Sequence, residues 1–280
     1  MQIVRKGRQI SRIMKIVVPL LFCLFVSETY AEDLLVPISK FDNDSERLVD
    51  SKVLELWGFH NYKGDDGYQN TAILRYYHPL QTDTWRGRIR LDASLVANSN
   101  SSSASNDAGQ YTLGNTLVTV WGQDNYFLKP LGALFGGRLS LPSDNNGQWA
   151  VGPQLGWSFL PEVTSFLHVT DFSPLLRYMY GFDRKNNSFG TKPAQPALQR
   201  NLQIYPMISF QLSPSTMLRL WDENEIIYNS AGGGWFVPID AMITHRLTKN
   251  LVFSVGASKQ VVQTYKQYDW STYAKVSLNF

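Results

Sequence analysis

Between Trp85 and Val96 the chain alternates without a break. Trp85, Gly87, Ile89, Leu91, Ala93 and Leu95 fall on one side, Arg86, Arg88, Arg90, Asp92 and Ser94 on the other. A period of two is the signature of a β-strand, because successive Cβ atoms leave opposite faces of the backbone. A strand with one greasy face and one ionic face needs hydrocarbon on the first side and water or counter-charges on the second. That demand suits the wall of a transmembrane barrel, where lipid-facing and lumen-facing residues alternate.

The pattern recurs. Gln148 to Phe159 sets Trp149, Val151, Pro153, Leu155, Trp157 and Phe159 against Gln148, Ala150, Gly152, Gln154, Gly156 and Ser158. The segment Trp270 to Phe280 sets Trp270, Ala274, Val276, Leu278 and Phe280 against Ser271, Tyr273, Lys275, Ser277 and Asn279. Each is close to the roughly 9 to 11 residues of a tilted membrane strand. Twelve candidate strands result: Lys52 to His60, Gln69 to Leu80, Trp85 to Val96, Tyr111 to Trp121, Leu131 to Leu141, Gln148 to Phe159, Thr164 to Tyr180, Asn201 to Leu212, Thr216 to Tyr228, Gly234 to Arg246, Leu251 to Val262 and Trp270 to Phe280. Alternation is ambiguous in the first. It is poor in the fourth, where Leu113, Leu117 and Trp121 share a face with Asn115 and Thr119. No 3.6-residue stripe follows residue 31, so the fold class is all-β, an antiparallel up-and-down transmembrane barrel of twelve strands.

Connection lengths give an independent check, since bacterial barrels pair short periplasmic turns with longer outer loops. Counting Lys52 to His60 as the first strand makes Gln81 to Thr84, Pro161 to Val163, Ser213 to Ser215 and Leu247 to Asn250 periplasmic turns. The longer Gly122 to Pro130 joins them, and the long polar segments Ala97 to Gln110 and Gly181 to Arg200 become outer loops. Dropping that strand inverts the sides. Trp149, Trp235 and Trp270 then mark the outer interface and Trp85, Phe159 and Phe280 the periplasmic one, as two aromatic belts require. A secreted β-sandwich also alternates, but its core does not need belts.

The beginning of the chain fits export. Arg5, Lys6, Arg8, Arg12 and Lys15 precede the apolar run Ile16 to Val26, followed by Ser27-Glu28-Thr29-Tyr30-Ala31, a signal-peptide layout with cleavage expected after Ala31. The apolar run is too short for a helical membrane anchor. Bulky Phe22 before Cys23, the one cysteine, sets aside a lipoprotein. Removing residues 1–31 takes five of the 26 basic and one of the 23 acidic residues, leaving 21 against 22. The basic balance therefore belongs to the export segment, and nucleic-acid binding loses its compositional support. Residues 32–51, polar and charged, read as a periplasmic arm, and residues 52–280 as the barrel. A mean hydropathy of −0.21 looks soluble, but an alternating wall averages to such a value.

The ending Lys275-Val276-Ser277-Leu278-Asn279-Phe280 resembles the C-terminal signal by which outer-membrane barrels are recognised. Val276, Leu278 and Phe280 form the alternate apolar row, offered as an edge strand to the barrel assembly machinery, a form of β-augmentation. Four further pieces carry a family resemblance: Gln148 to Gln154, Tyr205-Pro206 opening Pro-Met-Ile-Ser-Phe-Gln-Leu, Tyr228-Asn229, and Trp235-Phe236-Val237-Pro238-Ile239. Over roughly Leu131 to Phe280 the chain resembles a family of outer-membrane transporters associated with aromatic-degradation operons, the phenol meta-pathway type. That resemblance implies a barrel and small-solute uptake, without naming the solute.

Turning the polar face inward places Arg75, Arg86, Arg88, Arg90, Asp92, Arg138, Arg177, Arg219, Asp240, Arg246 and Lys275 in the lumen, with Glu223 and Glu225 nearer the outer mouth. Fixed guanidinium groups favour anions and pair carboxylates in a bidentate way. The functional expectation is a passive or facilitated channel for small anionic or aromatic-acid solutes, with outer-membrane lipid and the solute as partners. The bland reading is that these charges neutralise one another and fill the lumen. Both predict the same side-chain directions. A surface adhesion barrel would place its function in the two long loops, which are polar and have few aromatic anchors. A lipase needs a Ser-His arrangement, which His60, His78, His168 and His245 do not display, and G-x-S-x-G is absent. His168 with Asp171 reads as structural. Asp42, Asp44 and Glu46 lack the glycine of a calcium loop, and Gly232-Gly233-Gly234 precedes no Lys-Ser or Lys-Thr. No metal, cofactor or catalytic residue is expected.

Overall fold

The computed structural model describes residues 51–64, 67–99, 111–142, 148–159, 169–183 and 198–280. The export segment, the arm apart from Ser51, most of both long outer loops and His168 lie outside the described residues. The first half of the wall is β1 (Val53–Tyr62), β2 (Tyr68–Gln81), β3 (Trp85–Ser99), β4 (Thr112–Leu113), β5 (Thr116–Asp124), β6 (Ala133–Leu141) and β7 (Trp149–Trp157). The second half is β8 (Val169–Phe172), β9 (Leu175–Phe182), β10 (Arg200–Tyr205), β11 (Ile208–Ser213), β12 (Thr216–Leu220), β13 (Ile226–Asn229), β14 (Trp235–Arg246), β15 (Leu251–Gln263) and β16 (Trp270–Asn279).

Four pairs among these sixteen segments run end to end: β4 with β5, β8 with β9, β10 with β11 and β12 with β13. The wall therefore has twelve staves, all antiparallel to their neighbours. The ladder between β1 and β16 closes it, running from Val53↔Asn279 to Tyr62↔Trp270. Closure removes the unpaired edge that an open sheet would expose, and hydrocarbon tolerates no unpaired backbone donors. The chain is an all-β, closed antiparallel barrel of twelve staves.

Facing follows the alternation. Leu56, Leu74, Leu91, Phe135, Ile239 and Val276 stand exposed on the outer wall, while their polar neighbours are buried inside. Of the aromatic markers, Trp235, Trp270, Phe159 and Phe280 are exposed, and Trp85 and Trp149 are half-buried. Trp85 lies flat over Gly87 and Gly122, and a side chain at either glycine would overlap its indole.

Several boundaries differ from the sequence expectation. The fourth strand starts in two pieces and extends to Asp124, and Lys129–Leu131 forms a 3-10 turn in place of a strand start. More important, three neighbouring staves are broken at similar depth: at Ser173-Pro174, at Pro206-Met207 and across residues 221–225. Proline has no N–H for the ladder, which explains the first two breaks. Met207 and Trp221, residues adjoining two of these breaks, hold left-handed backbone with φ of 30° and 53°. Each costs on the order of 1–2 kcal/mol for a residue with a side chain, so the surroundings must hold the wall in this shape.

Candidate functional site

The inward face is an ionic lattice built from one or two side chains per stave. Glu55 on β1, Arg75 on β2 and Asp92 on β3 lie in register across three neighbouring staves. Arg75 Nε donates to Asp92 Oδ1 at 3.2 Å, and Arg75 Nη1 sits 3.5 Å from Glu55 Oε2. Arg90 grips the same Asp92 with Nε at 2.8 Å and Nη2 at 2.6 Å. Glu55 further accepts from Trp57 Nε1 at 2.9 Å and Ser277 Oγ at 3.1 Å, and Lys275 Nζ stands 3.5 Å away.

Aromatic rings pack among these charges. The Trp57 ring is faced by Arg75 at 4.9 Å and Lys275 at 4.7 Å, and Arg88 lies 4.1 Å from the Tyr77 ring. Cation–π contacts of this kind are worth more when desolvated, which is how indole and phenol can stand on the polar side of a barrel. Trp57, Tyr77, Trp121 and Tyr273 are all nearly inaccessible.

A second cluster centres on Arg177 of β9. Its Nε donates to Gln154 at 2.9 Å, and its Nη1 to Gln203 and the Tyr205 hydroxyl at 3.2 Å each. Gln203 passes the chain of bonds on to Glu225 at 3.0 Å. Arg138 Nε donates to Thr119 Oγ1 at 2.9 Å.

The break in the ninth stave supplies the third part. Residues 221–225 leave the wall between β12 and β13. Their anchors are Trp221 Nε1 on the Pro238 carbonyl and Asn224 Nδ2 on Asp240 Oδ1, both at 2.8 Å. Glu223 then reaches Arg75 on the second stave, with a two-pronged bond of 2.8 and 3.2 Å. The segment thus forms a strap across the lumen. Arg219 and Asp222 flank its base at 3.5 Å. Asp240 also accepts from the Tyr273 hydroxyl at 2.8 Å, because the phenol lies across Gly256, where a side chain would overlap the ring.

Of the predicted lumen residues, Arg75, Arg88, Arg90, Asp92, Arg138, Arg177, Arg219, Asp240, Arg246 and Lys275 are buried on the inner face, and Arg86 is half-buried near the periplasmic end. Glu223 and Glu225 are corrected. They do not sit at the outer mouth, because the ninth stave breaks and carries them inward. Glu55, Trp57 and Asp222 were missed, since hydropathy alone makes an inward Trp57 look lipid-facing; Tyr273 was placed on the inner face without a role. The charge count decides how strongly the interior favours anions. Eight buried cations face five buried carboxylates, and the half-buried Arg86, Glu223 and Glu225 make nine against seven, so the described interior carries only a small positive excess.

Comparison with protein-family models and with curated proteins returns no match. Among solved structures the barrel is similar to an outer membrane channel from Pseudomonas putida F1, with TM-score 0.60, 16% identity, 85% of this chain and 99% of that one covered. It is also similar to the β domain of the Bordetella autotransporter Brka, with TM-score 0.48 and 10% identity, covering 82% of this chain and 99% of the other. The first likeness supports the outer-membrane barrel fold.

Proposed function

We propose that the protein is a narrow outer-membrane channel for small solutes, with a mild preference for those carrying a carboxylate, aromatic acids included. The observation that carries this reading is a closed wall whose inner face is rich in charged and amide side chains packed among aromatic rings, with arginine the commonest charge and held at fixed positions. A passing carboxylate would meet guanidinium groups whose orientation is already set by neighbouring carboxylates, glutamines and rings, the geometry that suits bidentate pairing. The small excess of nine cations over seven carboxylates argues for modest selectivity. The similar fold of a channel adds support, and so does the resemblance to solute-uptake barrels.

One observation favours a second reading, a barrel closed by its own ion pairs: Glu223 crosses the lumen to Arg75. An enzyme reading finds less. His60 and His78 face outward and hydrogen-bond Asn70 and Tyr76, and among the described residues neither has a serine in reach.

Planar-bilayer recording separates the first two readings. The channel reading expects ion conductance with a small anion preference, lessened when Arg86, Arg88 and Arg90 are replaced by alanine. Absence of conductance from a folded, reconstituted barrel would reject it in favour of the self-closed barrel.

A further inference from the structure

On the outer wall the alternation leaves almost no charge facing lipid. Among the outward-facing residues of the described strands, only Lys259 of β15 and Arg200 of β10 carry a fixed positive charge. Arg200 opens β10 at its outer end, and Lys259 lies in the outer third of β15, four residues short of its end. Lys259 is exposed and is the register partner of Trp270, which in turn pairs with Tyr62 across the closure seam. The Tyr62 and Trp270 rings stack at 5.5 Å, so Lys259 sits in the aromatic belt of the outer leaflet. No hydrogen bond or ion pair engages its ammonium group among the described residues.

Arg200 repeats the arrangement three staves away, about 15 Å along the wall at ordinary strand spacing. Its guanidinium lies 3.4 Å from the centre of the Tyr180 ring and is steered there by bonds from Nη1 to the carbonyls of Gly181 and Gln199. Tyr228 and Trp235, with ring centroids 4.8 Å apart, fill the belt between the two cations. The carboxylates that adjoin these segments in the described chain lie beyond the strand ends. They are Asp183, just after β9, and Asp269, just before β16, and Lys266 stands 3.5 Å from the second.

We propose that Lys259 and Arg200 form an anchoring site for the phosphates of an anionic glycolipid of the outer leaflet, with the intervening aromatic rings seating its sugar and acyl shoulder. The argument is charge complementarity. Lysine and arginine are disfavoured on a lipid-facing wall except at the interface, where an anionic headgroup turns them into attractive contacts. Tyrosine and tryptophan are the rings that tolerate both sugar and hydrocarbon neighbours. The site stands on the outer wall and does not depend on what the lumen conducts.

Native mass spectrometry of the full-length protein in detergent tests this with two probes: lipid A carrying both phosphates, and the same lipid A after phosphatase treatment. The intact lipid is expected to be retained at least tenfold more tightly, and the preference to shrink with added salt. Lys259→Gln and Arg200→Gln should each weaken retention of the intact lipid about fivefold and leave the dephosphorylated lipid unaffected. Equal retention of the two lipids by the unaltered protein would overturn the proposal without any variant. So would undiminished preference in a double variant that still migrates as a folded barrel in unheated gels.

Discussion

Replacing Glu223 by glutamine removes the one charge that ties the strap to the opposite wall. Glu223 and Arg75 make two charge-assisted bonds at 2.8 and 3.2 Å between side chains only 8% and 3% exposed. Breaking a buried pair outright costs about 3–5 kcal/mol, because the survivor is left uncompensated. Here Arg75 keeps Asp92 at 3.2 Å and Glu55 at 3.5 Å, so it is not orphaned, and the loss reduces to the bond itself. Taking about 2 kcal/mol for a hydrogen bond to a charged group, the population with the strap released rises roughly thirtyfold. The wall itself keeps every ladder, so the barrel should still fold. Single-channel recording should then show larger or more frequent openings. The reversal potential should shift toward anions, because the interior loses one of seven carboxylates and no cation. Unchanged conductance together with an unchanged reversal potential in folded Glu223→Gln protein would refute the strap as a constriction.

The other expectations are simpler. Arg75→Gln leaves Glu55, Asp92 and Glu223 without their shared cation, so it should lower stability in detergent by about 3–5 kcal/mol and move selectivity toward cations. Arg177→Met strands Gln154, Gln203 and the Tyr205 hydroxyl, and a loss on the order of 2–3 kcal/mol should appear in denaturant titration. Asp240→Asn preserves acceptors for Tyr273 and Asn224 and should fall within about 1 kcal/mol of the original, whereas Asp240→Leu orphans both donors and should cost about 2–3 kcal/mol by the same titration. Phe280→Ala should reduce the amount of folded barrel reaching the membrane in cells while leaving refolding of purified protein unchanged. Phe280 is 61% exposed, and its backbone keeps the paired bonds with Lys52 that end the closure seam.

Facing was legible wherever one side of a strand is uniformly apolar. In β3, β7 and β16 facing follows from alternation, because a one-residue slip would turn the arginines of β3, Gln154 of β7 or Lys275 of β16 toward lipid. In β1 the signal fails. Val53, Glu55 and Trp57 share the inner face, and Trp57 belongs there because two cations from other staves cover its ring. Neither cation is near it in the sequence. The carboxylate Glu55 was missed for the same reason, since its partners come from β2 and β16.

The strap did leave a trace in the sequence. Continued through residues 221–225, the alternation of β12 that turns Leu218 and Leu220 outward would turn Asp222 and Asn224 outward as well. An acidic group and an amide would then face hydrocarbon deep in the wall, where polar groups find no partners. Breaking the stave avoids this at the expense of one left-handed residue, Trp221. Asp222 gains Arg219, Asn224 gains Asp240 and Glu223 gains Arg75. Two polar residues on the wrong parity are therefore the informative feature of the ninth strand. The break also brings into the lumen one carboxylate that parity would have turned outward, Asp222, whereas Glu223 and Glu225 lie on the inward parity with or without it.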